Sequence, residues 1–402
     1  MNEPGAPRRA ALAFIFVTVV LDMLALGIAV PVLPKLVLAF ESGDSVRAAA
    51  IYGVFGTTYA GMQFLFAPLL GALSDRFGRR PIVLLSNLGL GLDYVVMALA
   101  PTVAWLFAGR VVAGVCGASF ATAGAYIADV TPPEKRAASY GWLSAAFGLG
   151  FVIGPALGGV LGSVDARLPF WCAGALSLAN ALYGFFVLPE SLPPERRAGF
   201  VWRRANPWGA LALLRQHPGV LGLAAVVFAS AVAHEVNPST FVLYTDHRYG
   251  WDSRTVGGAL ALVGVTSAFV GAWLVGATAR TMGERRALLL GLACGAVGFA
   301  VQGLAPSGAV FFAGIPVVAL WGLSGPAAQA ILSERVHPEE QGRLQGALSS
   351  LQGVAFMIGP AVFTGTFAAA IATGDAWPGA PFLLAAAILA GTLALAARTF
   401  RG

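Results

Sequence analysis

Charge is scarce in this chain. Asp, Glu, Lys and Arg make up 11% of its 402 residues, against about 25% in soluble globular domains. That is too little to cover a water-facing surface. Cysteine and histidine are scarcer still, at three and four residues. Cys116, Cys172 and Cys294 each sit inside an apolar run. Their odd number and their spacing exclude a disulfide framework or a thiolate metal centre and leave them as packing residues. No Walker loop, nucleophile motif or metal-binding cluster is written anywhere, so enzyme chemistry and ATP-driven work lack their machinery and no cofactor or metal is expected. No filter-like segment points to a channel. A net charge of +6 is one feature of nucleic-acid binders. The basic residues are spread over short loops, however, and do not form the dense face such a partner needs.

What the chain has instead is apolar sequence: 57% hydrophobic residues and a mean hydropathy of +0.77. Runs of about 20 apolar residues recur, each long enough to cross a bilayer as a helix. In lipid, a helix satisfies its own backbone hydrogen bonds, which no open strand does. The pattern predicts an all-α membrane protein with twelve spans, over 10–36, 48–73, 81–100, 103–128, 137–162, 168–188, 218–245, 254–279, 287–305, 308–332, 343–370 and 378–397. The first run follows Arg8 and Arg9 like a signal peptide. It contains Asp22, however, and no small-residue cleavage site follows, so it reads as a span that is retained.

The basic residues orient the spans. With the N-terminus inside, 19 of the 25 Lys and Arg fall in cytoplasmic segments and five outside, with Arg110 within a span. Such asymmetry is the positive-inside signal. Both termini are then cytoplasmic. The longest polar segment, 189–217, is basic and carries Pro193, Pro194 and Pro207. It predicts a cytoplasmic linker between a bundle over 1–188 and another over 218–402.

An internal repeat supports two halves. "GALSDRFGRRPI" at 71 pairs with "GATARTMGERRAL" at 276, "VTPPEKRAASYGWLS" at 130 with "RVHPEEQGRLQGALS" at 335, and "FVIGPA" at 151 with "FMIGPA" at 356, always at an offset of 205. Each half therefore holds six spans in the same orientation, giving two pseudo-symmetric six-helix bundles.

Ionisable residues within spans are costly, by about 2.5–3.5 kcal/mol on insertion scales, and are functional candidates for that reason. Here they are Asp22, Asp93, Arg110 and Glu235. A carboxyl in an apolar cavity holds its proton more readily, and an adjacent arginine favours the ionised form. Movement of Arg110 or of a cationic substrate relative to Asp22 would make proton release and substrate binding mutually exclusive, which is antiport. Gln63 and Gln329 either bond substrate or bond a neighbouring helix. His234 is either a proton partner beside Glu235 or a packing residue. Span 4 carries Arg110, Gly114, Gly117, Ala121, Gly124 and Ala128 along one face. Span 5 carries Gly150, Gly154, Gly158 and Gly162, with Pro155 and Gly159 inside the motif. Small residues so spaced let helices approach closely, and Pro155 removes a backbone hydrogen bond and permits a bend. The second half has Ala355, Gly359, Phe363 and Phe367 at the matching places.

Taken together, "LDMLALGIAVPVLP", "GALSDRFGRRP", "GRVVAGVCGASFATAGAYIADVTPPEKR" and "GLGFVIGPALGG" resemble, in order, the first-helix, loop 2–3, fourth-helix and antiporter signatures of major facilitator transporters of the drug:proton antiporter type, most closely the tetracycline-efflux family. The resemblance covers nearly the whole chain and is densest in the first half. It implies the major facilitator fold, with substrate between the halves near the midplane. It also implies proton-driven export of an amphipathic compound, required roles for Asp22, Asp93 and Arg110, and a substrate cavity including Asp22, Gln63, Arg110, His234, Glu235 and Gln329. The loop residues Gly71, Asp75, Arg76, Gly78, Arg79 and Arg80, with Asp129, become an inner latch, in which Gly71 allows close approach to a second-half helix. The implied partners are membrane lipid and a small molecule, with no nucleic acid, and the implied unit is a monomer in the bacterial cytoplasmic membrane. The tetracycline exporters carry an Asp in span 9 and a His in span 8. Here "GLACGAVGFAVQ" has no acid, Gly295 lying near that place, and Ser267 replaces the His. Span 7 has "AHEVNPST", which suggests that the second-half acid has moved to Glu235. A uniporter or symporter for a metabolite or sugar is the competing expectation, and it would want more polar side chains along the cavity.

Overall fold

The computed structural model describes residues 6–117, 120–132, 136–197, 218–337, 340–372 and 377–400. These residues hold seventeen α-helices and no strand. In chain order they are α1 (Ala6–Ala29), α2 (Leu33–Phe40), α3 (Ser45–Phe77), α4 (Arg79–Leu99), α5 (Val103–Gly117), α6 (Phe120–Val130), α7 (Arg136–Val164), α8 (Leu168–Val187), α9 (Pro218–His234), α10 (Val236–Tyr249), α11 (Ser253–Phe269), α12 (Val275–Met282), α13 (Glu284–Leu304), α14 (Gly308–Ala319), α15 (Ser324–Glu334), α16 (Gln341–Ala372) and α17 (Ala380–Thr399). Several spans are therefore pairs of helices. The linker residues 198–217, with Arg203, Arg204 and Arg215, and the repeat residues Pro133, Glu134, Lys135, Pro338 and Glu339, lie outside the described residues.

Eleven stretches among the described residues are long and apolar enough to cross a membrane. The expected second span is the exception. It is α3, the longest helix at 33 residues, but Tyr52, Thr57, Thr58, Tyr59 and Gln63 dilute its apolar run. Elsewhere large apolar side chains face outward: Leu85, Val164, Phe186 and Trp273 are 64%, 77%, 75% and 71% exposed. In water that would be unfavourable; it is what a surface solvated by lipid requires.

The breaks between helices follow local chemistry. Gly78 separates α3 from α4 at φ 106°, and its repeat partner Gly283 separates α12 from α13 at φ 79°. An L side chain is strained there, by about 1–2 kcal/mol, so the repeat preserves a backbone conformation as well as a sequence. Span 10 changes to a 3-10 turn over Leu320–Leu323, four residues after Pro316. Span 8 contains a π-helical segment, Val270–Leu274, and Val270 packs with Ala319 and Leu323 around the 3-10 turn. Span 7 breaks at Glu235 between α9 and α10.

The chain groups into two compact units. The first holds 1–33, 61–206 and 253–261, and the second holds 34–60, 207–252 and 262–402. In the first, α1 packs along α7, and α4 packs along α8. In the second, α13 packs along α17, and α9 lies between α16 and α17. The segment 34–60 joins the second unit through Lys35 Nζ, 2.7 Å from Asp246 Oδ1, and through Tyr52, whose hydroxyl donates to Pro238 O at 3.4 Å.

Candidate functional site

In the first unit, Asp22 lies on α1 and is 8% exposed. Asn180 of α8, itself fully buried, donates from Nδ2 to Asp22 Oδ1 at 2.7 Å and to Thr18 O at 2.9 Å. The carboxyl is therefore gripped by a neutral amide. A hydrogen bond to a charged group is worth about 1.5–3 kcal/mol, and it fixes the rotamer of the acid. The sequence reading missed Asn180, since an Asn in an apolar helix carries no positional signal of its own.

Arg110 of α5 faces the other acid. Its Nη2 is 3.8 Å from Asp93 Oδ2 on α4 and 3.2 Å from Met97 Sδ. Neither Asp93 oxygen has a hydrogen-bond partner among the described residues, although the residue is 3% exposed. A methyl group on Gly109 would stand 2.6 Å from Asp93 Oδ1. Gly109, next to the arginine, is thus the residue that admits the acid, and it lies off the small-residue face read from the sequence. Gln63 is half-buried on α3.

The glycines of α7 divide between two neighbours. A methyl group on Gly150 would strike Met23, and one on Gly154 would stand 2.7 Å from Gly27 Cα. Gly158 meets the backbone of Ile28, and Gly162 would place a methyl 2.7 Å from Val32 Cγ2. These four track α1 and the turn that follows it, at the four-residue spacing of a helix face. Gly159 points elsewhere, where its methyl would be 2.5 Å from Ser253 O and 2.9 Å from Gly257 Cα of α11. Pro155 lies within α7, and its carbonyl would sit 2.5 Å from a methyl on Gly257. The stripe thus serves two contacts, backbone on backbone.

The loop between α3 and α4 is built around Arg79, which is 9% exposed. Its Nη1 lies 2.5 Å from Asp75 Oδ1 and donates to Ser74 Oγ at 2.6 Å. Its Nε donates to Asp129 Oδ2 on α6 at 3.1 Å, and its backbone N–H donates to Glu190 Oε1 at 2.9 Å. A buried guanidinium is tolerable only when paired in this way. Gly78 is required twice over, by its positive φ and because any side chain would collide with Glu190. Arg80 stacks over Phe185 at 5.6 Å, and Arg76 over Phe77 at 5.1 Å. The reach of Arg79 to Asp129 was legible; Ser74 and Glu190 were not. Gly71 lies in the last turns of α3, and a methyl group there would meet nothing within 4 Å among the described residues of its own unit.

In the second unit, Glu235 lies with its Cβ and Cγ against Gly359 of α16. His234 is exposed into a cavity of about 350 Å³ that Gln329 also lines. No group of three metal-binding side chains occurs among the described residues.

Residues 15–360 match the family model described as the Major Facilitator Superfamily. The chain is 40% identical to the tetracycline resistance protein, class C, of Escherichia coli, over 94% of each chain. It is 37% identical to the class G protein of Vibrio anguillarum, over 94% of this chain and 95% of that one. Its fold is similar to a bacterial homologue of the human lysosomal transporter Spinster, with a TM-score of 0.78, 17% identity, and coverage of 100% of this chain and 98% of that one. With its apolar helices and its intramembrane acids, the chain is an integral membrane protein and belongs to the Major Facilitator Superfamily of transporters.

Proposed function

We propose that this chain is a proton-coupled exporter of amphipathic compounds, with tetracycline-like molecules as the first class to test. The observation that carries this reading is Asp22, a buried and hydrogen-bonded carboxyl in a membrane span, in a chain 40% identical over nearly its full length to a tetracycline resistance protein. An intramembrane acid marks a proton or ion pathway.

In this mechanism Asp22 and Asp93 exchange protons with the two sides of the membrane, and Arg110 is the charged partner that faces Asp93. Glu235 supplies the second-half acid. Gln63, His234 and Gln329 bond substrate, and Gly71, Asp75, Arg76, Gly78, Arg79, Arg80 and Asp129 form the inner latch. Gly150, Gly154, Pro155, Gly158 and Gly159 let α7 slide against its neighbours. The energy source is the proton gradient. The working unit is a monomer of two six-helix bundles, 1–188 and 218–402, joined by a cytoplasmic linker. Both termini face the cytoplasm of a bacterium, and lipid and cargo are its partners, without nucleic acid. Cells expressing the chain should accumulate less tetracycline than cells expressing Asp22→Asn. Equal accumulation in the two would overturn the reading.

A further inference from the structure

The cavity in the second unit has features that proton exchange does not use. It is lined by residues of α9, α10, α11, α13, the span containing α14 and α15, and α16, and every one of these lining residues belongs to the second unit. At about 350 Å³ it is in the size range of small-molecule sites. Its described lining includes no Asp, Glu, Lys or Arg.

Part of its wall is aromatic. The His234 ring stands 5.7 Å from Trp321 and 6.5 Å from Phe356, tilted by 44° and 47°. Trp321 lies on the 3-10 turn Leu320–Leu323, and its Nε1 donates to Ser230 Oγ at 3.1 Å. The indole is therefore held in place before any ligand arrives. Two polar side chains of the lining carry unsatisfied oxygens. Gln302 is 2% exposed, lines the cavity, and has no partner for Oε1. Asn237 Oδ1 is likewise buried and unpartnered at the same cavity. Buried polar atoms are almost always bonded, and the exceptions call for a donor from elsewhere.

We infer that this cavity is a binding site for the aromatic part of an uncharged, hydrogen-bond-donating compound, which is held by His234, Trp321 and Phe356 and donates to Gln302 and Asn237. Ionised carboxylates and sulfonates should bind less well, because the described lining offers them no Lys or Arg to pair with. The site deepens the export reading by naming the chemistry of the cargo, and it rests on that reading only for the occupant's role as cargo.

Photo-crosslinking of the purified full-length protein in lipid nanodiscs tests the inference. The probes are 4-aminobenzophenone, uncharged with N–H donors, and 4-carboxybenzophenone, the anionic counterpart, with mapping by mass spectrometry. The amino probe should label α9, α14–α15 and α16 saturably, and the carboxylate at least tenfold less. Trp321→Ala and Gln302→Leu should each cut labelling at least fivefold. Gln302→Leu removes an unpartnered buried acceptor, so its melting temperature should hold or rise while labelling falls. Unsaturable labelling, equal labelling by the two probes, or labelling indifferent to Gln302→Leu would overturn the site. Competition by tetracycline would support that compound as the occupant. Saturable labelling without competition keeps the site and removes tetracycline from it. Tetracycline transport with no labelling of the cavity keeps the export reading and overturns the site.

Discussion

Glu235 lies across the bare Cα of Gly359. A methyl group built on that glycine would collide with Glu235 Cβ and Cγ. Gly359 is the repeat partner of Gly154, which in the first half seats the backbone of Gly27. The second half has kept one glycine of the stripe and used it to seat an acid. Overpacking a tight contact costs about 1–3 kcal/mol, so Gly359→Ala should destabilise the protein by that amount and lower transport. In a Glu235→Gly background the same methyl has room, since both Cβ and Cγ are gone, and its cost should shrink. Thermal melting of the four proteins in this double-mutant cycle measures the coupling. Glu235→Gln should abolish second-half coupling in everted vesicles; an unchanged pH dependence of uptake would rule that role out.

The grip of Asn180 on Asp22 makes a separate prediction. Asn180→Leu removes the donor to a buried acid and should cost about 1.5–3 kcal/mol and most of the transport activity. Ser177→Ala, on the same helix α8, removes a buried hydroxyl that has no partner among the described residues and should be close to neutral. Paired melting curves and uptake rates distinguish the two.

Within α7, glycine position should decide tolerance. Gly154→Ala places a methyl 2.7 Å from Gly27 Cα, backbone that cannot yield, whereas Gly148→Ala meets nothing within 4 Å among the described residues. The first should lose folded yield and uptake. The second should match the parent and, by raising helix propensity, gain about 0.5–1 kcal/mol.

The two glycine hinges differ in the same way. Gly78→Ala and Gly283→Ala both place a methyl at positive φ, at about 1–2 kcal/mol each. Only Gly78 also has Glu190 in the way; Gly283 has open space. Gly78→Ala should therefore melt lower than Gly283→Ala. Likewise Asp75→Asn breaks the 2.5 Å pair with Arg79 and should cripple transport without changing topology, while Arg280→Asn should matter less. Equal effects would contradict a first-half latch.

Much of this was legible from the sequence because lipid simplifies the problem. Span count, repeat register and the intramembrane acids follow from hydropathy and from the cost of burying charge. Close packing along α7 was legible in the glycine spacing, but neither its partner α1 nor the departure of Gly159 from the row to meet Gly257 was. What escaped was the partner of each ionisable group. Asn180, Ser74 and Glu190 lie 158, 5 and 111 residues from the groups they bond, and nothing in their local sequence marks them. Gln302 escaped for the same reason: it is one Gln at the end of an apolar helix, and only its burial without a partner singles it out. The α3 span showed the opposite limit, a helix of 33 residues whose polar side chains lower the apolar signal.

Proton-coupled export is the central claim, and one measurement tests it most directly. Everted membrane vesicles containing the chain are given an imposed pH gradient, acidic inside, and uptake of radiolabelled tetracycline is followed. Proton-coupled export requires uptake above the equilibrium level, collapse on addition of an uncoupler, and loss in Asp22→Asn. Uptake that only equilibrates, is indifferent to the uncoupler and persists in Asp22→Asn would contradict it.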